Sequence, residues 1–191
     1  VHYENKFQTP VKNNNDPSPT HFWNFRVDQT VNSGSSIQDS ISGVNATFNT
    51  TKTLTSSLGY SNTNSSTEVV AVDSMTVQGT FSVEYYGQFP GINTVGTCAW
   101  LYLARTDNNH TNRVQLKSTS AGRLTLQGDN LTADQTASSA FSTGVDIHLV
   151  AVYNNDDLTA KLYENGSLLL ETTMTAARGT DTFDLFTLFN T

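Results

Sequence analysis

Few side chains in this chain could do chemistry, and their spacing argues against catalysis. The glutamates are Glu4, Glu68, Glu84, Glu164 and Glu171. Glycoside hydrolysis needs two carboxylates about 5–10 Å apart, one as acid and one as nucleophile or base. On an extended strand that separation falls at i and i+2 or i+4, where side chains share a face. No strand-like run pairs one of these glutamates with a second acid at either offset. Glu164 and Glu171 flank Asn165-Gly166 and could share a face of a hairpin, but they sit too far apart along it and belong to a solvated rim. The histidines His2, His21, His110 and His148 have no Cys, Asp or Glu at zinc-site spacing. His148 lies within Ile147-His148-Leu149-Val150-Ala151-Val152-Tyr153 and reads as a structural core histidine. Cys98 is the single cysteine, so no internal disulfide framework exists, and its apolar run predicts a buried, inert thiol. No nucleophile elbow, phosphate loop or dinucleotide fingerprint occurs. An enzyme is not expected.

Binding chemistry is better represented. Sugar recognition combines an aromatic ring, which packs on the apolar side of a pyranose, with polar groups that hydrogen-bond the hydroxyls. Glu84, Tyr86, Trp100 and Tyr102 meet that description. They alternate with Phe81, Val83, Leu101 and Leu103, so a core built on those apolar residues places the four on the exposed, concave side of one sheet. The alternative is that Trp100 and Tyr102 pack beneath a neighbouring loop. Calcium is the second ligand class considered, since it takes six to eight oxygens from carboxylates, amides and carbonyls. The loop residues Asp107, Asn109 and Asp129 are its candidate ligands, with Asn154-Asn155-Asp156-Asp157 as a further acidic loop. No EF-hand spacing is present, and plain turn chemistry accounts for the same residues. No other cofactor is implied.

The elements that must position these residues are strands. Thr80–Tyr86, Ala99–Arg105, Arg113–Lys117 and Arg123–Gln127 alternate apolar and polar residues, and Ser118–Gly122 supplies a hairpin loop between the last two. Ile147–Tyr153 is nearly continuous in apolar character, which predicts a central strand covered on both faces. Thr159–Glu164 and Ser167–Thr172 flank Asn165-Gly166, the pair best suited to a two-residue type I′ turn. Phe183–Phe189 is also strand-like, and no window shows a helical period. The expected fold is all-β, an antiparallel two-sheet β-sandwich. Residues 1–20, with Asn13–Pro19 at their centre, read as a lead-in or linker, and residues 21–191 as one domain.

Composition agrees. Ser, Thr and Asn make up about a third of the 191 residues, charged residues 14% and aromatics 10%. The polar bias suits short strands and polar turns, while aromatics recurring in alternating runs argue against disorder. A net charge of −7, with ten scattered Lys and Arg, excludes a clustered basic face for nucleic acid. No apolar stretch is long enough to span a bilayer as a helix, so membrane insertion is not expected. The start, Val-His-Tyr-Glu-Asn-Lys, is not a signal peptide, and the chain reads as a piece of a longer protein. Sequons at Asn45, Asn49, Asn64, Asn109, Asn130 and Asn165 are about as many as composition alone would produce.

The order of motifs adds a resemblance. His21-Phe22-Trp23-Asn24-Phe25, then Ser36–Thr47 with its Asp39-Ser40-Ile41-Ser42-Gly43-Val44-Asn45 turn, is similar to the opening of laminin-G-like domains of the concanavalin A-like superfamily. Phe81–Tyr86 looks like that family's Phe-Thr-Val-Ser-x-Trp strand, with Tyr86 at the Trp position. Ser142–Tyr153, continued by Leu162–Gly166, resembles its late Thr-Gly-x-Trp-His-His-Val-Ala-Val signature, without the usual Trp. The likeness spans about residues 20 to 189 and implies a concanavalin A-like jelly roll. Some relatives on that fold are endoglucanases with paired carboxylates along one strand, a pattern absent here. The polar Tyr60–Thr67 replaces a family strand that carries calcium ligands in some members. The resemblance therefore implies a lectin-like binding or adhesion module, with a glycan or glycoprotein on a cell surface as partner. Its setting would be extracellular or virion-surface, within a larger protein that is itself a glycoprotein. The alternatives are a structural protein–protein module of such an assembly and, third, a glycoside hydrolase.

Overall fold

The structure, a computed structural model, describes residues 25, 28–38, 40–55, 70–73, 75–88, 98–104, 113–183 and 185–190. Among them every regular element is a strand: β1 Gln29–Val31, β2 Ser36–Gln38, β3 Asn45–Phe48, β4 Lys52–Leu54, β5 Val70–Val72, β6 Met75–Gln78, β7 Phe81–Gln88 and β8 Cys98–Ala104. There follow β9 Val114–Ser118, β10 Leu124–Gly128, β11 Gln135–Thr136, β12 Asp146–Asn154, β13 Thr159–Glu164, β14 Ser167–Thr173, β15 Thr180–Phe183 and β16 Leu185–Asn190. The lead-in assigned to residues 1–20 and the His21–Phe25 motif, Phe25 apart, lie outside the described residues.

Two layers account for nearly all of this. The larger sheet runs β11-β10-β9-β8-β16-β5-β3-β2, and the smaller runs β14-β13-β12-β7. Two short ribbons extend the larger one. The β2–β3 register (Ser36 opposite Thr47) continues without slip into β1–β4 (Val31 opposite Lys52). Likewise Val72 opposite Phe186 runs on to Met75 opposite Phe183 in β6–β15. All pairings are antiparallel. The expected all-β two-sheet sandwich is the observed fold.

One core fills the space between the layers. Phe48, Val70, Val72, Val114, Leu116, Leu124 and Leu126 face it from the larger sheet. Ile147, Leu149, Ala151, Tyr153, Ala160, Leu162 and Leu170 face it from the smaller. Each large side chain so buried stabilises the fold by about 1.5–3 kcal/mol. Along one flank the layers are stitched together by a Leu131–Met174 bridge, by Thr132 N donating to the Thr173 carbonyl at 2.9 Å, and by Thr175 N donating to the Asn130 carbonyl at 2.8 Å.

The strands expected from alternation are present within a residue or two of their predicted ends. The Asn165-Gly166 turn is as predicted, with φ of 50° and 81°, both in the left-handed region that type I′ requires. Phe183–Phe189 divides into β15 and β16 on either side of residue 184. One expectation is corrected. Ile147–Tyr153 is not covered on both faces: in β12, Ile147, Leu149, Ala151 and Tyr153 are buried, whereas His148, Val150 and Val152 are only half-buried. The apolar outer residues Val150 and Val152 lie among the longer side chains of Glu84, Tyr163 and Lys161 on the neighbouring strands.

Candidate functional site

The smaller sheet has one face on the core and one facing outward, and the outward face gathers the polar and aromatic groups. Strand β7 alternates in the predicted phase, with Ser82, Glu84 and Tyr86 outward and Phe81, Val83 and Tyr85 inward. It pairs with β12 so that Tyr86 lies opposite His148, Glu84 opposite Val150 and Ser82 opposite Val152. Strand β13 continues these rows with Tyr163 opposite Val150 and Lys161 opposite Val152. Strand β14 completes them with Leu168 opposite Tyr163 and Glu171 opposite Lys161. Adjacent strands stand about 4.8 Å apart and successive rows about 6.7 Å apart, so these side chains form one continuous outward platform.

Hydrogen bonds fix its centre. Glu84 Oε1 and His148 Nε2 are 2.6 Å apart, and the Tyr86 hydroxyl donates to Asp146 Oδ2 at 3.0 Å. The Tyr86 ring meets the His148 ring edge-on, with centroids 6.2 Å apart at 61°. Tyr86 remains 50% exposed, which leaves ring surface for a ligand. Two features hold the backbone beneath these groups. At Gly87 an added Cβ would fall 2.5 Å from the Tyr85 hydroxyl, so only glycine lets that phenol lie over the inner side of β7. The Asn165 side chain accepts from His148 N at 3.0 Å while Asn165 N donates to the His148 carbonyl at 2.8 Å, extending the ladder past the end of β13.

The rest of the face is ionic. Lys161 Nζ lies 3.4 Å from Glu171 Oε1. The Glu171 hydrogen bond and charge, with lesser help from Tyr163 and Asp157, raise the lysine above its ordinary range.

The predicted ligand residues do not assemble as expected. Glu84 and Tyr86 stand together on the outer face of the smaller sheet. Trp100 and Tyr102 belong to β8, in the larger sheet, so the four do not line one surface. The physical reason is that β7 and β8 are consecutive in the chain but not paired: β7 adds to β12, while β8 lies between β9 and β16. In β8 the register with β9 shifts between Ala99 and Leu101, which makes Trp100 the extra residue of a β-bulge.

Of the calcium candidates, Asp107 and Asn109 lie outside the described residues. Asp129 is committed to Arg113: its Oδ1 is 3.0 Å from Arg113 Nη2 and its Oδ2 accepts from Arg113 N at 3.0 Å. This clamp closes the open end of the β9–β10 hairpin. No group of three or more His, Cys, Asp or Glu able to hold a metal occurs among the described residues.

The structure also adds residues that sequence reading left aside. His148, read as a core histidine, is on the outer face with its side chain 36% exposed and bound to Glu84. Its signal was present: it falls one residue out of phase with Ile147 and Leu149. Asp146, Tyr163 and Lys161 reach the platform through strand pairings that no local pattern announces.

No protein-family model matches the chain, and no curated protein is significantly similar to it in sequence. Among solved structures it is similar to the CBM40 of Ruminococcus gnavus IT-sialidase bound to α2,3-sialyllactose, at 17% identity over 58% of this chain and 62% of that one, TM-score 0.42. It is similar to the carbohydrate-binding module CBM66 from Bacillus subtilis, at 14% identity over 64% of this chain and 78% of that one, TM-score 0.39. A Bacillus licheniformis β-glucanase is similar at 10% identity over 92% of this chain and 82% of that one, TM-score 0.46. The matched region spans a little under two thirds of that sialidase CBM40.

Proposed function

We propose that the chain is a non-catalytic glycan-binding module of a larger surface or secreted protein, and that it binds through the outer face of the β7–β12–β13–β14 sheet. The observation that carries this reading is Tyr86: a half-exposed ring whose hydroxyl is fixed by Asp146 and whose edge is set by His148, next to a Glu84 carboxylate whose side chain is 67% exposed. A pyranose laid on that ring finds a CH-accepting π face and hydroxyl acceptors within one strand spacing. The groups are held before any ligand arrives, which lowers the ordering cost of binding.

The carboxylates support a binding role over hydrolysis. Glu84 faces His148, Asp146 accepts from Tyr86 and Glu171 faces Lys161. Each is turned to its own partner rather than shared with a second acid across a scissile bond. The test is a glycan array probed with the purified chain, with and without calcium. Saturable binding that is lost in Tyr86→Ala is the expected result, and an array without a hit in either condition rejects the reading.

A second reading, a protein–protein module, is favoured by one observation. Val145, Tyr86 and Leu168, each about half exposed, lie at the same end of the smaller sheet. It predicts concentration-dependent self-association in sedimentation velocity that is reduced in Leu168→Ser.

A further inference from the structure

The charge of the platform points to a class of sugar. Across β7, β12, β13 and β14 the basic residues are His148 and Lys161 alone. Lys161 is neutralised by Glu171 at 3.4 Å, with Asp157 contributing to the negative field around it. The Nε2 of His148 is occupied by Glu84. Glu84 and Asp146 stand on the outer face beside Tyr86, one on its own strand and one on the neighbouring strand, whereas Glu171 lies three strands away on β14. The described arginines and lysines that could receive an anion belong elsewhere. Arg113 is clamped by Asp129 and Lys117 is bonded to Gln127 at 2.6 Å, both on the larger sheet. Arg178 is buried against the inner-face rings of Phe81 and Tyr153.

An anionic sugar on Tyr86 would therefore meet the carboxylates of Glu84 and Asp146, with His148 already bonded to Glu84 and Lys161 two strands away and paired with Glu171, among the described residues. A neutral one meets no such repulsion and can donate its hydroxyls to these carboxylates. We propose that the outer face of the smaller sheet selects uncharged glycans and rejects those bearing carboxylate, sulfate or phosphate groups. This rests on the glycan-binding reading and adds a ligand class to it.

The mechanism is like-charge repulsion. At about 10 Å in water each of these two carboxylates weakens the binding of a unit anion about twofold, and the two effects compound. The repulsion is screened as the Debye length shrinks to about 3 Å in 1 M salt.

The experiment compares matched pairs on one array, such as lactose with 3′-sialyllactose and neutral with sulfated lactosamine. Affinities are then measured by calorimetry at low salt and at about 1 M salt. The expected result is binding of the neutral member, about fourfold weaker binding of the anionic one, and a preference that narrows as salt rises. Equal or tighter binding of the sialylated or sulfated member overturns the selectivity while leaving glycan binding in place. A preference unaffected by salt overturns the electrostatic mechanism. An array on which neither member of any pair binds removes the glycan reading and the selectivity together.

Discussion

On the inner side of the β7–β12 pair, Phe81 stacks flat on Tyr153, with centroids 5.0 Å apart and planes 11° apart. The guanidinium of Arg178 lies under 6 Å from both rings. On the outer side of the same two strands, Tyr86 stands edge-on to His148 and keeps half its surface in water. The two faces use similar chemistry, an aromatic pair with a nitrogen base nearby, and put it to opposite ends. Inside, contact is complete and the gain is stability. Outside, contact is left incomplete and the unused surface is what a ligand can take. One backbone therefore carries a packed surface and a solvent-facing one, separated by a single step of alternation.

Substitutions that separate the faces test the contrast. The largest effect belongs to the inner face. Leu149→Ala removes a fully buried side chain and should cost about 3 kcal/mol, lowering the melting temperature by about 6–12 °C. Calorimetry below the transition should find ligand affinity unchanged.

Tyr86→Ala, one strand away and outward, should reverse that outcome. It should lose about tenfold or more in glycan affinity, about 1.4 kcal/mol, while thermal unfolding moves by less than that equivalent. If both variants shift the same observable, the division between the faces fails.

A smaller effect tests the turn that sets the register of β13 and β14. Gly166→Ala places a Cβ at φ 81° and should cost about 1 kcal/mol, read as a lower urea midpoint.

The smallest change sharpens the inner face itself. Tyr153 is completely buried and its hydroxyl has no hydrogen-bond partner among the described residues, so Tyr153→Phe should be neutral or stabilise by up to about 1 kcal/mol. Burial pushes the Tyr153 phenol well above its ordinary range, with Arg178 opposing the shift in part. The raised folded value means that this contribution is fully present below the unfolded value, near pH 10, and is lost as pH climbs above it. Urea midpoints from pH 7 to 11 should fall on the alkaline side, and less steeply in Tyr153→Phe.

What could be read from the residues was whatever a short window contains. Alternation gave the phase of Phe81–Tyr86 and the two limbs around Asn165-Gly166, because hydrophobic side chains recur every second residue and a type I′ turn has a narrow chemistry. Assignment of strands to sheets was not legible. Nothing local in Phe81–Gln88 or Cys98–Ala104 says that they join different layers, since partner choice depends on how distant apolar faces close over one another. The outward phase of Glu84 and Tyr86 was legible from alternation, but His148 was misplaced because its run is apolar on both sides and alternation was masked by Val150 and Val152. The short β1 to β4, with only Val31, Ala46, Phe48 and Leu54 buried, are too polar to stand out from turns.

Glu84 and His148 meet across 64 residues of chain, whereas Glu164 and Ser167 face one another across a two-residue turn. During refolding the β13–β14 hairpin can close early at little loop entropy, while β7 must wait for a long excursion to be drawn in. Strand β7 also forms an outer edge of its sheet among the described residues, so it docks onto a surface that β12 to β14 have already made. The Glu84–His148 pairing therefore forms late in folding, and a chain trapped one strand short of completion would be compact and yet lack it.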